Sequence, residues 1–333
     1  MSEKILTKYY LQKILEDSAL PELGGSGSLL DNTTILWTNE EELNLNWFDE
    51  IEEDAATFLA NFKREGVIIE LNGLTRISNT VAESLSITTT EDSLSDDECM
   101  LSNDGNLHLN GLIVISDESA EFLSNHRGEL QLNSLSKISV ATAKSFSKHK
   151  GYLELQGVHE ISAEAAKALS KRDSSLYLGI KDVSEKVASH LVSIDGEDVE
   201  LTLDLTELKP AIAEIISSRF GPIYLLGVAE ISDESAEALT VNNCIGDLHL
   251  GIETLSDNAA KSLAKCCANL YLNFLTDLSV RAAENLQYHQ GWRIELDGIK
   301  ELSKGAADAI IQYKGKINDM DPKEWVESLK NNE

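Results

Sequence analysis

The apolar positions of this chain follow one pattern that returns many times. Counted from Leu107, apolar residues stand at offsets 0, +2, +5 and +8, serine at +9, a small residue at +13 and a large apolar residue at +16. Eight segments fit in full, the first with Glu52 in place of serine, and three fit with one residue fewer before +5. The repeats begin at Leu43, Ile69, Leu107, Leu130, Leu153, Leu176, Leu201, Ile223, Leu248, Leu270 and Ile294. Self-similarity at a nearly fixed period predicts an array of repeated structural elements.

Each repeat is predicted to form a strand, a turn and a short helix. Apolar residues at 0 and +2 lie on one face of a strand. Serine at +9 suits a helix N-cap, as Ser116 does before the acidic residue Asp117. In the repeat that begins at Leu201, Pro210 takes the first helical position instead. The residues at +13 and +16 then share one face of the helix.

Two sets of glycines are predicted to adopt positive φ. The first set occupies offset +4 in five repeats, within the predicted turn: Gly73, Gly111, Gly157, Gly227 and Gly298. The second set follows the helices, where a left-handed C′ residue would lie: Gly66, Gly128, Gly151, Gly221, Gly246, Gly291 and Gly315. Glycine is the residue that adopts such conformations without steric cost.

Stacking buries the apolar side that a single repeat leaves exposed. Helices are wider than strands, so we expect a curved stack with a parallel sheet on the concave face and helices on the convex face. The repeats resemble leucine-rich repeats, of about 23 residues, over roughly residues 43–315, and their spacing is similar to that of bacterial leucine-rich proteins. The resemblance implies an α/β leucine-rich-repeat solenoid with helical caps at both ends.

The repeats depart from the common leucine-rich pattern at offset +5. That pattern has Asn or Cys there as an internal hydrogen-bonding ladder, whereas this chain has an apolar residue. Polar residues recur instead at +3: Asn46, Asn72, Asn110, Asn133, Gln156, Asn273 and Asp297. They either replace the missing ladder or simply occupy an exposed turn position.

The array of about eleven repeats is predicted to span residues 35–315. Apolar residues at helical spacing within 4–16 predict a capping helix, which with a following loop makes up 1–34. A second capping helix is predicted in 316–333, beginning at Asp321-Pro322. Either terminal helix could instead bind a partner.

One acidic, Ser/Thr-rich insertion interrupts the array near 87–101. Its composition favours a mobile loop, with a binding loop as the alternative.

The net charge narrows the range of partners, and the cysteines indicate the cellular compartment. The 333 residues carry a formal net charge of −29, which argues against binding to nucleic acid or to an anionic membrane. No secretion signal and no run of about 18 apolar residues is evident. The four cysteines lack the spacing of a zinc site or a disulfide framework. Free thiols in the reducing cytoplasm are therefore expected.

No catalytic or metal-binding motif is recognised in the sequence, so no enzyme activity, cofactor or metal is predicted. Three histidines near the predicted helix ends, His126, His149 and His289, are expected to face the last helical carbonyls. Their position at the helix ends accounts for these three histidines without a bound metal ion.

The side chains at offset +1 point away from the core and, with those at −1, are predicted to line the concave face. The candidate binding residues are His108, Gln131, Tyr152, Glu154, Tyr177, Tyr224, His249, Tyr271 and Glu295. Tyrosine is enriched at protein interfaces, although aromatic residues also suit exposed strands. The pattern predicts a non-enzymatic scaffold that binds a protein or peptide of basic or mixed charge. The alternatives are a structural solenoid without a dedicated ligand and an enzyme with an unrecognised site.

Overall fold

The computed structural model describes residues 4–18, 42–60, 67–86, 105–194, 196–242 and 245–330. The chain forms two compact units, Met1–Val158 and His159–Glu333. In both units short strands alternate with short helices, as the repeat pattern predicts.

The first unit is built on five parallel strands. Its elements are β1 Ile5–Leu6, α1 Lys8–Ser18, β2 Glu42–Asn44, β3 Glu50–Ile51, α2 Glu53–Ala60, β4 Ile68–Glu70, α3 Asn79–Ser86, β5 Asn106–His108, α4 Asp117–Leu123, β6 Leu130–Gln131, α5 Val140–Phe146 and β7 Leu153–Leu155. Strands β2, β4, β5, β6 and β7 pair in that order, with the first leucine of one repeat opposite that of the next, as Leu107 is opposite Leu130. The short strands β1 and β3 form a separate parallel pair.

The second unit contains seven parallel strands. Its elements are α6 Ala163–Leu169, β8 Leu176–Leu178, α7 Glu185–Leu191, β9 Leu201–Leu203, α8 Pro210–Ile216, β10 Ile223–Leu225, α9 Asp233–Ala238, β11 Asp247–Leu250, α10 Asp257–Leu263, β12 Asn269–Tyr271, α11 Val280–Leu286, β13 Arg293–Glu295, α12 Lys304–Ile310, β14 Lys316–Ile317 and α13 Pro322–Lys330. Strands β8 to β14 pair consecutively in the same register.

The observed elements confirm an α/β leucine-rich-repeat fold. All eleven predicted strand positions are parallel strands, and β14, whose Ile317 pairs with Ile294, is a strand that the sequence pattern missed. Curvature and the placing of the sheet on a concave face stay predictions.

The core of the repeats is built on the pattern positions 0, +2, +5, +13 and +16, whereas the apolar residue at +8, such as Ile115, is only partly buried in most repeats. In the repeat that begins at Leu107, the side chains of Leu107, Leu109, Leu112, Ala120 and Leu123 are fully buried. Full burial of each leucine contributes about 1.5–3 kcal/mol to folding. The residue at +5 therefore belongs to the apolar core, which explains why no asparagine stands there.

The helix starts agree with the predicted caps. The side chain of Ser139 accepts a hydrogen bond from the backbone N–H of Thr142, and the same contact recurs at Ser116, Ser162, Ser184, Ser232, Ser256, Ser279 and Ser303. Lys209 stands at the N-cap of α8, where Pro210 takes the first helical position as predicted. Each serine cap contributes about 1 kcal/mol to helix stability.

The prediction for the glycines is wrong at all but one of their described positions. Within the described residues, only Gly221 of the two predicted sets has positive φ, and the helices end on right-handed residues such as Ser124. Close packing of successive repeats explains the glycines better. A Cβ on Gly111 would lie 2.1 Å from the carbonyl oxygen of Asn72, and one on Gly151 would lie 1.8 Å from that of Gly128.

The terminal helices match the predictions in part. Helix α1 begins only at Lys8, because Ile5–Leu6 pairs with β3, and it packs on α2. Helix α13 begins at Pro322 as predicted and buries Trp325 and Val326. The proposed division into 1–34, 35–315 and 316–333 stays a prediction, and the insertion at 87–101 lies outside the described residues.

A buried polar side chain stands at the same place in five repeats, after the helix and four residues before the next strand begins. These five residues are His126, His149, Arg172, Arg219 and His289. His126 Nε2 is 3.2 Å from the carbonyl oxygen of Glu129, and His289 Nε2 is 3.0 Å from that of Ala268. Both carbonyls precede strands, and His289 also contacts the backbone of Leu263 and Ala264, where helix α10 ends. The expected contact with the last helical carbonyls is therefore present at His289, on the preceding helix, and stays a prediction at His126.

Burial gives the chain a predicted sensitivity to acid through His289. It lowers the pKa of His289 to about 4, whereas the pKa of histidine in an unfolded chain is about 6.5. Between these values the unfolded state binds the extra proton, so stability falls as the pH falls. We expect the free energy of unfolding to drop by about 2 kcal/mol between about pH 7 and pH 5 from this residue alone.

The comparison is urea denaturation of the wild type and His289→Gln at several pH values. Glutamine keeps an amide donor for the Ala268 carbonyl but does not titrate. The variant should lose less stability on acidification than the wild type does. Parallel curves for the two proteins would contradict the assignment.

Candidate functional site

The side chains at offsets −1 and +1 form the surface that we call the exposed sheet face. They alternate with the buried leucines along each strand, and in the second unit the register sets Tyr224, His249 and Tyr271 side by side. Eight of the nine candidate residues are partly exposed. The exception is Glu295, which is only 6% exposed and pairs with Arg293.

In the first unit this face is polar and internally paired. His108 lies between two carboxylates, with Nδ1 3.6 Å from Glu70 Oε1 and Nε2 3.7 Å from Glu129 Oε1. The amide of Gln131 donates to Glu129 Oε1 at 2.5 Å. Carboxylates therefore stand on both sides of the His108 ring.

The polar residues at +3 form a ladder, which settles the choice left open by the sequence. From Asn46 to Gln156 the backbone N–H of one donates to the side-chain oxygen of the preceding one, as Asn110 does to Asn72 at 2.8 Å and Asn133 does to Asn110 at 3.1 Å. The same bond joins Asp297 to Asn273. The Asn133 amide also donates to Glu154 Oε2 at 2.8 Å. The ladder therefore replaces the missing one at +5 and also positions the candidate residue Glu154.

The second unit carries a stack of three aromatic rings on adjacent strands. The ring centroids of Tyr224 and His249 are 3.9 Å apart, those of His249 and Tyr271 are 3.8 Å apart, and the rings are nearly parallel. The guanidinium of Arg293 lies 5.6 Å from the ring centroid of Tyr271. Three of the candidate residues thus form one continuous surface.

Acidic residues accept hydrogen bonds from the hydroxyls of two tyrosines on this face. Tyr224 donates to Glu200 Oε1 at 3.1 Å, and Tyr177 donates to Asp204 Oδ1 at 2.9 Å. Lys181 pairs with the other oxygen of Asp204 at 3.1 Å. Burial, reinforced by the negative charge of Glu200, raises the pKa of Tyr224 to about 12.

The stacked histidine is neutral at neutral pH. Burial between two rings lowers the pKa of His249 to about 4, so positive charge in this row comes from Arg293, which pairs with Glu295 and, at 2.6 Å, with Asp319. The stack of three aromatic rings is therefore bordered by charges of both signs.

Two residues of this site were missed by the sequence reasoning. Asp204 and Lys181 lie beyond the ends of β9 and β8, and both stand in the shorter repeats. The signal that could have found Asp204 is its offset of +3 from Leu201, the ladder position.

In the described part of the chain no group of three metal-ligating side chains comes together, and none of its helices has the length and apolar character to span a bilayer.

Comparisons with known proteins place the chain near solved leucine-rich-repeat structures at low similarity. No family model and no curated protein matches the sequence. An internalin from Listeria monocytogenes aligns at TM-score 0.42 and 15% identity, covering 86% of this chain and 84% of that one. A leucine-rich-repeat protein from Leptospira interrogans aligns at TM-score 0.32 and 13% identity, covering 87% and 88%.

The Toll–Spatzle complex of Drosophila aligns at TM-score 0.39 and 13% identity, covering 71% of this chain and 36% of that one. Similarity at these levels says nothing about what this chain binds.

Proposed function

We propose that this chain is a non-enzymatic scaffold that binds a protein or peptide through the exposed sheet face of its second unit. The stack of Tyr224, His249 and Tyr271 carries the proposal. Tyrosines on rigid strands offer apolar area and a polar tip at little entropic cost, which is why they are frequent in binding hot spots.

The charge around the stack favours a partner of basic or mixed charge. Glu200 and Asp247 flank the aromatic rings, with Arg293 as the cation at one end, and the chain carries a net charge of −29. Association should therefore weaken as salt concentration rises. We further propose a cytoplasmic location, since Cys266 and Cys267 are both free thiols.

The test is binding of the wild type and of a variant in which Tyr177, Tyr224 and Tyr271 are all changed to alanine. A partner is first identified by capture from cells of the source organism, and its affinity is then measured with purified proteins at two salt concentrations. We expect the triple variant to bind at least about thirtyfold more weakly, as loss of a hot spot does.

The matched control is Tyr288→Ala, which removes a tyrosine that is 75% exposed and lies outside this face. Circular dichroism must show both variants folded. Unchanged affinity of the triple variant would refute the proposal, and a loss confined to deletion of 87–101 would move the site to that segment. A chain that captures no specific partner would favour a structural solenoid.

A further inference from the structure

The two tyrosines nearest to β9 border a position where the row of rings is interrupted. Thr202 on β9 pairs with Tyr177 on one side and with Tyr224 on the other. Threonine is the small member of this row, so the space above it lacks the ring that the next repeats supply. We infer that this position, which we call the Thr202 slot, receives the guanidinium of an arginine from the partner. The inference deepens the proposed function and rests on it.

The neighbouring strands show what fits in such a position. The ring of His249 lies between Tyr224 and Tyr271, with both centroids within 4 Å, at 3.9 and 3.8 Å. Tyr177 and Tyr224 are also two strands apart, which in a parallel sheet is about 9.6 Å. One flat group above Thr202 would therefore stack between two tyrosines, as His249 does one repeat further along.

The two tyrosines that border the slot are hydrogen-bonded to carboxylates on either side of β9. Tyr177 donates to Asp204 at 2.9 Å, beyond one end of β9, and Tyr224 donates to Glu200 at 3.1 Å, just before the other end. The hydroxyls of the two tyrosines are thus held at opposite ends of β9, with an acid at either end of the slot.

The charge balance of the slot calls for one more cation. Asp204 is paired with Lys181 at 3.1 Å. Among the described residues the Glu200 side chain has the Tyr224 hydroxyl as its polar partner and no ion pair. A cation entering from outside would meet the uncompensated Glu200 carboxylate.

Arginine satisfies these features better than lysine does. Its guanidinium is flat, stacks on aromatic faces and donates two parallel hydrogen bonds to a carboxylate. The ammonium of lysine is a compact, strongly hydrated charge without a stacking face. The slot therefore selects for shape as well as for charge.

The experiment titrates the full chain with N-acetylarginine methylamide, with N-acetyllysine methylamide as the matched probe. Selectively labelled tyrosine rings are followed by NMR, with Tyr177 and Tyr224 assigned from their phenylalanine variants. We expect saturable shifts of both rings with a dissociation constant on the order of 1 mM, as suits so small a ligand. The lysine probe should bind at least about fivefold more weakly.

Three variants sharpen the test. Thr202→His fills the slot with a ring and should abolish the shifts, while Thr202→Val keeps its size and should leave them unchanged. Glu200→Gln should weaken binding about fivefold by removing the charge. Shifts that persist in Thr202→His, equal binding of both probes, or no saturable shift of either ring would overturn the slot.

Failure of the slot and failure of the proposed function give different results. If the triple tyrosine variant loses the partner but the wild type binds neither probe, the slot alone is overturned. If the arginine probe binds to the slot of the wild type and the triple variant keeps full affinity for the partner, the slot is supported and the proposed function of this face is overturned.

Discussion

Gly111→Ala is expected to destabilise the first unit by about 3 kcal/mol or more, because the added methyl group meets backbone that cannot move aside. Its Cβ would lie 2.1 Å from the carbonyl oxygen of Asn72 and 2.7 Å from that of Leu74. Asn72 belongs to the asparagine ladder, with its side chain accepting from the N–H of Asn110. Relief of the clash would therefore separate two repeats and break the ladder at the same point.

The measurement is chemical denaturation followed by circular dichroism, with Gly305→Ala as the matched control. Gly305 lies in helix α12, and a Cβ there would approach only the side chain of Val280, with its two methyl groups at 3.0 and 3.3 Å. Alanine is favoured over glycine in a helix by roughly 1 kcal/mol, so this variant should stay near wild-type stability. Equal stability of Gly111→Ala and the wild type would show that the repeats can separate at no cost.

These glycines illustrate how far the sequence predicts the fold. Strand positions follow from the alternation of leucines along one strand, and helix starts follow from serine and proline at fixed offsets, so both are visible locally. The role of Gly111 depends on the carbonyl of Asn72, which belongs to the preceding repeat. A requirement set by a neighbouring repeat looks the same in the sequence as a requirement for positive φ.

The candidate site shows the same division between local and non-local information. Period-2 alternation places Tyr224, His249 and Tyr271 on one face, and identical register then brings them together. Burial of Glu295 follows from the side-chain direction of Arg293, which the spacing of residues does not specify. The ladder at +3 was one of two interpretations, because an exposed turn has the same composition.

Arg219→Met should have a comparable effect in the second unit, lowering the free energy of unfolding by about 4 kcal/mol. The Arg219 side chain is fully buried and donates to three backbone carbonyls, those of Ile194, Val199 and, at 3.1 Å, Pro222. Methionine has a similar length but no donor, so these three acceptors would lose the guanidinium as a partner in a site that excludes water. No neighbouring side chain can replace a planar group that reaches three directions.

The control is Arg281→Met, since Arg281 lies exposed on α11 and its loss should change stability by less than about 0.5 kcal/mol. Arg219→Lys keeps the charge but cannot span three carbonyls, so its stability should fall between those of Arg219→Met and the wild type. Because Ile194 and Val199 lie at either end of the connection before β9, we expect hydrogen exchange to accelerate first at Val199 and Leu201. Unaltered exchange there, together with wild-type stability, would mean that Arg219 does not hold this connection against the repeat that follows.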